Sequence, residues 1–189
     1  YLWKEFYYLS TMDKVIDYVF IDTSVLMQES YFKSTSRIAQ LFDLAGKGYI
    51  KILLPIITKQ EWIKHIKEST YIKFDDVKRK LQLLGNLPNV LKFVDDFEKL
   101  TSTYENIVVD SIDTQISNGK VEVIDYSFFS DTLSDVFDKY FKKTKPFGSN
   151  GKSKEFPDAF VLAALEKYAI KHSIDQIVVF SSDKDIQQY

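Results

Sequence analysis

The sequence predicts an α/β fold with three layers, in which a central, mostly parallel sheet of four to five strands is covered by helices on both faces. Short apolar runs rich in Val, Ile and Phe are typical of buried strands, and helical patterns separate them. Strands that alternate with helices favour parallel pairing, because each helical crossover returns the chain to the same end of the sheet. The strands are expected at residues 17–22, 49–55, 121–125 and 176–182.

The intervening segments carry apolar residues at helical spacing. A first helix is expected at 34–46, and two long helices at about 58–118 are expected to form a helical hairpin inserted into the α/β core. A short helix follows at 130–142. A basic loop at about 142–154 contains Gly, Ser, Pro and Lys, and it precedes the most apolar helix of the chain at 155–172.

Composition restricts the function further. We expect residues 1–12 to be an N-terminal extension and residues 13–189 to be a single domain, because 189 residues suffice for one sizeable core. The sequence contains no cysteine, which excludes thiolate metal sites and fits a reducing, cytoplasmic setting; no segment has the length and apolarity of a membrane span. With only two histidines, a metal would be held mainly by oxygen, which favours Mg²⁺ or Mn²⁺. The net charge of -2 requires any nucleic-acid contact to use a local basic patch.

Four acidic residues are predicted to meet at one edge of the sheet. Asp22 ends the first strand, Asp183 follows the last strand, and Glu61 lies early in the helix after the second strand. Asp158 follows Pro157, which fits a first helical turn, so this carboxylate lies at the start of the apolar helix.

Each acid also has a purely structural explanation. Asp22 and Asp183 could cap the helices that follow them, Glu61 could be solvated helix surface, and Asp158 could interact with the helix dipole. Together, however, the four would gather like charges in a partly buried cleft, which is unfavourable unless a divalent cation offsets them. Such a cluster, with open coordination positions for phosphate oxygens, predicts hydrolysis of phosphodiester bonds.

The chain resembles the PIN-domain nucleases in four segments: VFIDTSVL at 19–26, QEW at 60–62, EFPDAFVLAAL at 155–165 and VVFSSDKDI at 178–186. The resemblance implies a PIN-like fold and a Mg²⁺- or Mn²⁺-dependent endonuclease that acts on single-stranded or structured RNA rather than DNA. The alternative is a catalytically silent PIN-like module that binds RNA or protein. A homodimer, an antitoxin partner and a further C-terminal domain all remain open.

The resemblance also implies roles for individual residues. Metal binding and catalysis fall on the four acids Asp22, Glu61, Asp158 and Asp183. Supporting roles fall on Ser24, Ser182 and Asp185.

A local basic patch precedes the third acid. It consists of Lys142, Lys143, Lys145, Lys152 and Lys154. Lysines could contact phosphates there, and Phe147 or Phe156 could stack on an unpaired base. The competing explanation is a solvated loop. The nearness of Asp158 favours a nucleic-acid interface.

Overall fold

A computed structural model of the chain describes residues 17–28, 36–83, 88–147, 155–183 and 186. Its sheet has four parallel strands: β1 (Asp17–Ile21), β2 (Ile50–Pro55), β3 (Val121–Ile124) and β4 (Ile177–Phe180). The strand order is β3-β2-β1-β4, so β1 and β2 are central. These strands lie within a residue or two of their expected positions, and the sheet within the described residues is parallel throughout.

Six α-helices connect and cover the strands within the described residues: α1 (Thr23–Gln28), α2 (Arg37–Gly46), α3 (Ile56–Gln82), α4 (Pro88–Ser117), α5 (Leu133–Lys142) and α6 (Phe156–His172). Helix α2 begins at Ser36, whose hydroxyl accepts a hydrogen bond from the Ala39 N–H at 3.1 Å. The expected helical hairpin corresponds to α3 and α4, which pack against each other. Two 3₁₀ turns, Tyr126–Phe128 and Ser130–Thr132, lead into α5.

Side chains of the central strands alternate between the two faces of the sheet, and each face packs against its own layer of helices. On β1, Val19 and Ile21 face a core formed with α2, α3 and α4, in which Trp62 is buried. Phe20 points the opposite way and packs with α6. Since successive side chains of a strand point to opposite faces, a strand buried on both sides needs an unbroken apolar run, which the sequence supplies.

Helix α6 is apolar around most of its circumference because it is packed on two sides. Leu165 and Tyr168 contact the sheet, whereas Ala159 and Ala163 contact α5 and the segment after it. This packing fixes the start of α6, where Asp158 lies. Within the described residues, none of the helices combines the length and apolarity needed to cross a membrane.

Candidate active site

The carboxyl ends of the four parallel strands define one edge of the sheet, and the predicted acids approach that edge. Asp22 is the first residue after β1, and Asp183 is the third after β4. Glu61 lies in the second turn of α3, which begins directly after β2. Asp158 is the third residue of α6. Ligand sites of open parallel sheets lie outside this edge.

Asp22 is buried, with 8% of its surface exposed. Its N–H donates to the Phe180 carbonyl at 2.9 Å, which continues the pairing of β1 with β4 beyond the strand. Its carbonyl accepts from the N–H of Val25 at 3.1 Å, as a residue preceding a helix does. One oxygen of its side chain, Oδ2, accepts hydrogen bonds from the hydroxyls of Ser24 at 2.5 Å and Ser181 at 2.8 Å. Two hydroxyl donors therefore fix the position of this buried carboxylate.

Glu61 is joined to the same edge through Thr23. The buried Thr23 hydroxyl donates to Oε2 of Glu61 at 3.0 Å, and this bond ties α1 to α3. Burial raises the pKa of Glu61, the hydrogen bond from Thr23 lowers it, and the charge of Asp22 raises it again. The net result is a raised pKa, so Glu61 holds a proton more readily than a surface glutamate.

The carboxyl of Asp158 has a strongly raised pKa. Burial is the largest reason that its pKa is raised to about 7, and the neighbouring charges of Asp22 and Glu61 come next. Glu155 contributes a further charge and a hydrogen bond, both of which raise the pKa of Asp158. Perturbation of this kind by burial together with specific charged neighbours is typical of functional sites. Asp22, Glu61 and Asp158 thus form one electrostatically coupled group.

Asp183 is positioned by its backbone. Its N–H donates to the Ser181 hydroxyl at 2.9 Å, and its side chain is half-buried. Ser182 is exposed, and its N–H donates to the Ser24 hydroxyl at 3.2 Å. Ser24 therefore contacts Asp22 through its side chain, whereas Ser182 contributes a backbone contact. Asp185 lies outside the described residues.

A divalent cation fits the donors at this edge by their chemistry. All are carboxylate or hydroxyl oxygens, which Mg²⁺ and Mn²⁺ prefer. Burial raises the pKa of Asp158 most, and the charges of Asp22 and Glu61 raise it next; a cation would offset this cost of ionisation. In the arrangement seen across the described ranges, no group of three or more His, Asp or Glu side chains is close enough to hold a metal ion. Thr23 satisfies Glu61 and the two serines satisfy Asp22 instead.

The basic patch is described only in part. Lys142, Lys143 and Lys145 are exposed at the end of α5, and Lys142 pairs with Asp138 at 2.8 Å. Lys152 and Lys154 lie outside the described residues. The end of α5 adjoins the start of α6, where the rings of Tyr140 and Phe156 are 5.0 Å apart.

The expectation that Phe147 stacks on a base is wrong. Its side chain is fully buried, and it packs with Val136 and Ala163 between α5 and α6. The segment after α5 folds back onto α6, and this return turns the ring away from solvent. Phe156 is half-buried and in ring contact with Phe147 at 4.8 Å.

Sequence reasoning missed two hydroxyls of the site, those of Thr23 and Ser181. The parallel register pairs Ile21 with Phe180, so the next residues along, Asp22 and Ser181, lie side by side. Two serines follow β4, and the sequence does not reveal which of them faces Asp22 until that register is known. The alternation of side chains along the strand then selects Ser181.

We expect Ser181→Ala to lower the free energy of unfolding by about 1 to 2 kcal/mol, because it removes a hydrogen bond to a buried carboxylate. Urea denaturation of the metal-free protein measures the change. Ser182→Ala, in the neighbouring exposed residue, is the matched control and should have little effect. Equal stability of the two variants would contradict the assignment of Ser181 to Asp22.

Comparison with known proteins identifies the family. The sequence profile of the PIN domain matches residues 19–186, which is nearly the whole chain. Searches of curated proteins and of solved structures found no match. The matched range includes the four predicted acids, β1 from Val19 onward, and all of β2, β3 and β4. The four-stranded parallel sheet between helical layers agrees with a PIN-like α/β/α fold, which is a nuclease-type fold. The chain belongs to the PIN-domain family.

Proposed function

We propose that this protein is a Mg²⁺- or Mn²⁺-dependent endonuclease that hydrolyses phosphodiester bonds in single-stranded or structured RNA. The observation that carries the proposal is the electrostatic coupling of three carboxylates at the carboxyl edge of the sheet. The pKa of Asp158 is raised to about 7; burial is the largest cause, and the charges of Asp22 and Glu61 are the next. The family supports it, since PIN domains are generally nucleases that use divalent metals.

In this proposal Asp22, Asp158 and Asp183 hold the cation, and Glu61 either joins them or orients the attacking water. When bound, the cation supplies a water of lowered pKa and stabilises the charge that develops on the phosphate oxygens. The hydroxyls of Ser24 and Ser181 hold the Asp22 carboxylate in place. Asp158 would bind the cation as a carboxylate, because the positive charge would offset the like charges of its neighbours.

Incubation with RNA and DNA oligonucleotides tests the proposal, with Mg²⁺, Mn²⁺ or EDTA present. Cleavage of RNA should require the metal, and addition of EDTA should stop it. Asp43→Asn, at an exposed residue paired with Lys47, is a control variant that should cleave like the wild type. Cleavage that survives EDTA would contradict the metal mechanism, and faster cleavage of DNA would contradict the preference for RNA.

A catalytically silent module that binds RNA or protein is the second candidate. The observation that favours it is that hydroxyls already satisfy Asp22 and Glu61, as expected in a site that carries no ion. The same incubation separates the two candidates. Binding of RNA without cleavage in either metal would favour the module.

We further propose that Lys142, Lys143 and Lys145 contact the phosphates of the substrate. Their exposure and their position beside the start of α6 support this role. Replacing all three by glutamine is expected to weaken RNA binding and to reduce the slope of log K against log salt by about 2, at roughly 0.7 for each phosphate contact with a single strand. Fluorescence anisotropy at several salt concentrations measures the slope.

The matched control replaces three exposed lysines on other elements, Lys47, Lys80 and Lys99, by glutamine. This variant has the same net charge as the first, so a general loss of attraction would affect both equally. Equal salt slopes for the two triple variants would refute the phosphate contacts.

A further inference from the structure

An open pocket of about 290 Å³ lies between the end of α1 and the middle of α3. It is lined by Met27, His65, Glu68, Ser69, Ile72 and Lys73. The sequence alone indicated no function for these residues, and none of them is an acid of the candidate active site.

The pocket lies one helical turn from that site along α3. Glu61, His65 and Ile72 follow one another at intervals of four and seven residues, which places them on one face of α3. His65 therefore lies one helical turn beyond Glu61, or about 6 Å along the helix axis. The hydrogen bond from Thr23 to Glu61 joins α1 to α3 at 3.0 Å, and Met27 is one turn further along α1. A strand held by the acids can thus place its next nucleotide in the pocket.

The lining combines apolar surface with a ring and a cation. Met27 is 45% exposed and Ile72 is 67% exposed, and both are apolar groups in contact with water. Between them, Nδ1 of His65 lies 3.4 Å from Oε2 of Glu68, a contact that orients the imidazole ring. Lys73 supplies a positive charge at the same pocket. A flat apolar ring attached to a phosphate is the ligand that such a lining complements, since bases stack on rings and lysines bind phosphates.

We propose that this pocket binds one unpaired nucleobase of the substrate strand, next to the phosphate that is cleaved, with Lys73 contacting an adjacent phosphate. The proposal rests on the proposed function for the identity of the ligand. Its consequence is that the substrate must be single-stranded at this position, because a base in a duplex is enclosed by its pair and its stacked neighbours. The enzyme then selects unpaired nucleotides by a site separate from its acids.

Binding of short single-stranded RNAs tests the pocket, with 2-aminopurine placed at one position at a time. The measurements use Ca²⁺ in place of Mg²⁺ and Mn²⁺, so that affinity and fluorescence are read on intact RNA. One position should change its fluorescence on binding. His65→Ala and Ile72→Ala should each abolish that change and weaken affinity on the order of tenfold.

Tyr71→Ala is the matched control. Tyr71 neighbours Ile72 and is equally exposed at 67%, but it lines a different pocket, between α3 and α4. Circular dichroism melting verifies that all three variants fold. Wild-type affinity in His65→Ala and Ile72→Ala, or equal affinity for duplex and single-stranded RNA, would overturn the proposal.

The two proposals fail in different ways. If His65→Ala and Ile72→Ala cleave RNA at the wild-type rate and position, the proposed base-binding pocket is wrong and the proposed nuclease activity stands. If these variants abolish the 2-aminopurine signal but the wild type cleaves no RNA with Mg²⁺ or Mn²⁺, the base-binding pocket stands and the proposed nuclease activity is wrong.

Discussion

Asp22→Asn is expected to reduce RNA cleavage by more than about a hundredfold, which exceeds the 10- to 100-fold cost of losing a residue that only supports a metal ligand. Asparagine has nearly the same shape as aspartate, and its carbonyl oxygen can still accept the hydrogen bonds from Ser24 and Ser181. The substitution therefore removes a charge from a buried position while leaving its hydrogen-bond donors partnered. Initial cleavage rates at saturating Mn²⁺ measure the effect.

The controls separate loss of chemistry from loss of fold. Asp22→Asn should melt at a temperature equal to or above that of the metal-free wild type, since it also removes a negative charge that raises the pKa of Asp158 after the larger effect of burial. Asp43→Asn should cleave normally. Cleavage within a few-fold of wild type in Asp22→Asn would show that this carboxylate is a structural cap of α1 and takes no part in the reaction.

Asp158→Asn is expected to stabilise the metal-free protein at pH 8 and to leave its stability nearly unchanged at pH 4. The pKa of Asp158 is raised to about 7, first by burial and then by the charges of Asp22 and Glu61. The folded chain therefore retains a proton that the unfolded chain releases near pH 4. As pH rises from about 4 to about 7, ionisation favours the unfolded state, and the stability of the wild type falls. Asparagine cannot ionise, so the variant escapes this loss.

The gain at pH 8 should be on the order of 1 to 2 kcal/mol after allowance for the partial solvent exposure of the carboxyl. That corresponds to a rise in melting temperature of about 2 to 8 °C for a chain of this size. Thermal melts in EDTA across pH 4 to 8 measure it, with the exposed Asp175→Asn as control. A difference between Asp158→Asn and wild type that stays constant with pH would contradict the raised pKa.

The two variants together test whether the acids lower the stability of the metal-free protein while supporting cleavage. If the acids form a metal site, the substitutions that raise the stability of the metal-free protein are the ones that abolish activity. Buried like charges are costly in a protein that lacks the cation, and functional sites often retain such a cost. A cluster that only capped helices would show no such inverse relation.

The fold followed from the sequence because its signals are local. An apolar run such as residues 18–21 identifies a buried strand, and Pro157 marks the start of α6. Asp22, Glu61 and Asp158 could be placed at one edge because every strand of a parallel sheet ends on the same side. Their mutual influence on pKa agrees with that placement.

The details that sequence reasoning missed depend on contacts between distant segments. The bond from Thr23 to Glu61 spans 38 positions, and the bond from Ser181 to Asp22 spans 159. Phe147 lies among the lysines of the basic patch in the sequence, yet it is buried by residues of α5 and α6. The pocket at His65 forms only when α1 packs beside α3. Strand register and helix packing determine these features, and local sequence patterns reveal neither the register nor the packing.

Titration of the wild type, Asp22→Asn and Asp158→Asn with Mn²⁺ measures whether these carboxylates hold a cation, with free Mn²⁺ followed by electron paramagnetic resonance. We expect the wild type to bind one or two ions, each substitution to weaken binding by more than about tenfold, and Asp43→Asn to bind like the wild type. Absence of Mn²⁺ binding by the wild type, or equal affinity in all four proteins, would contradict a metal site at the carboxyl edge of this sheet.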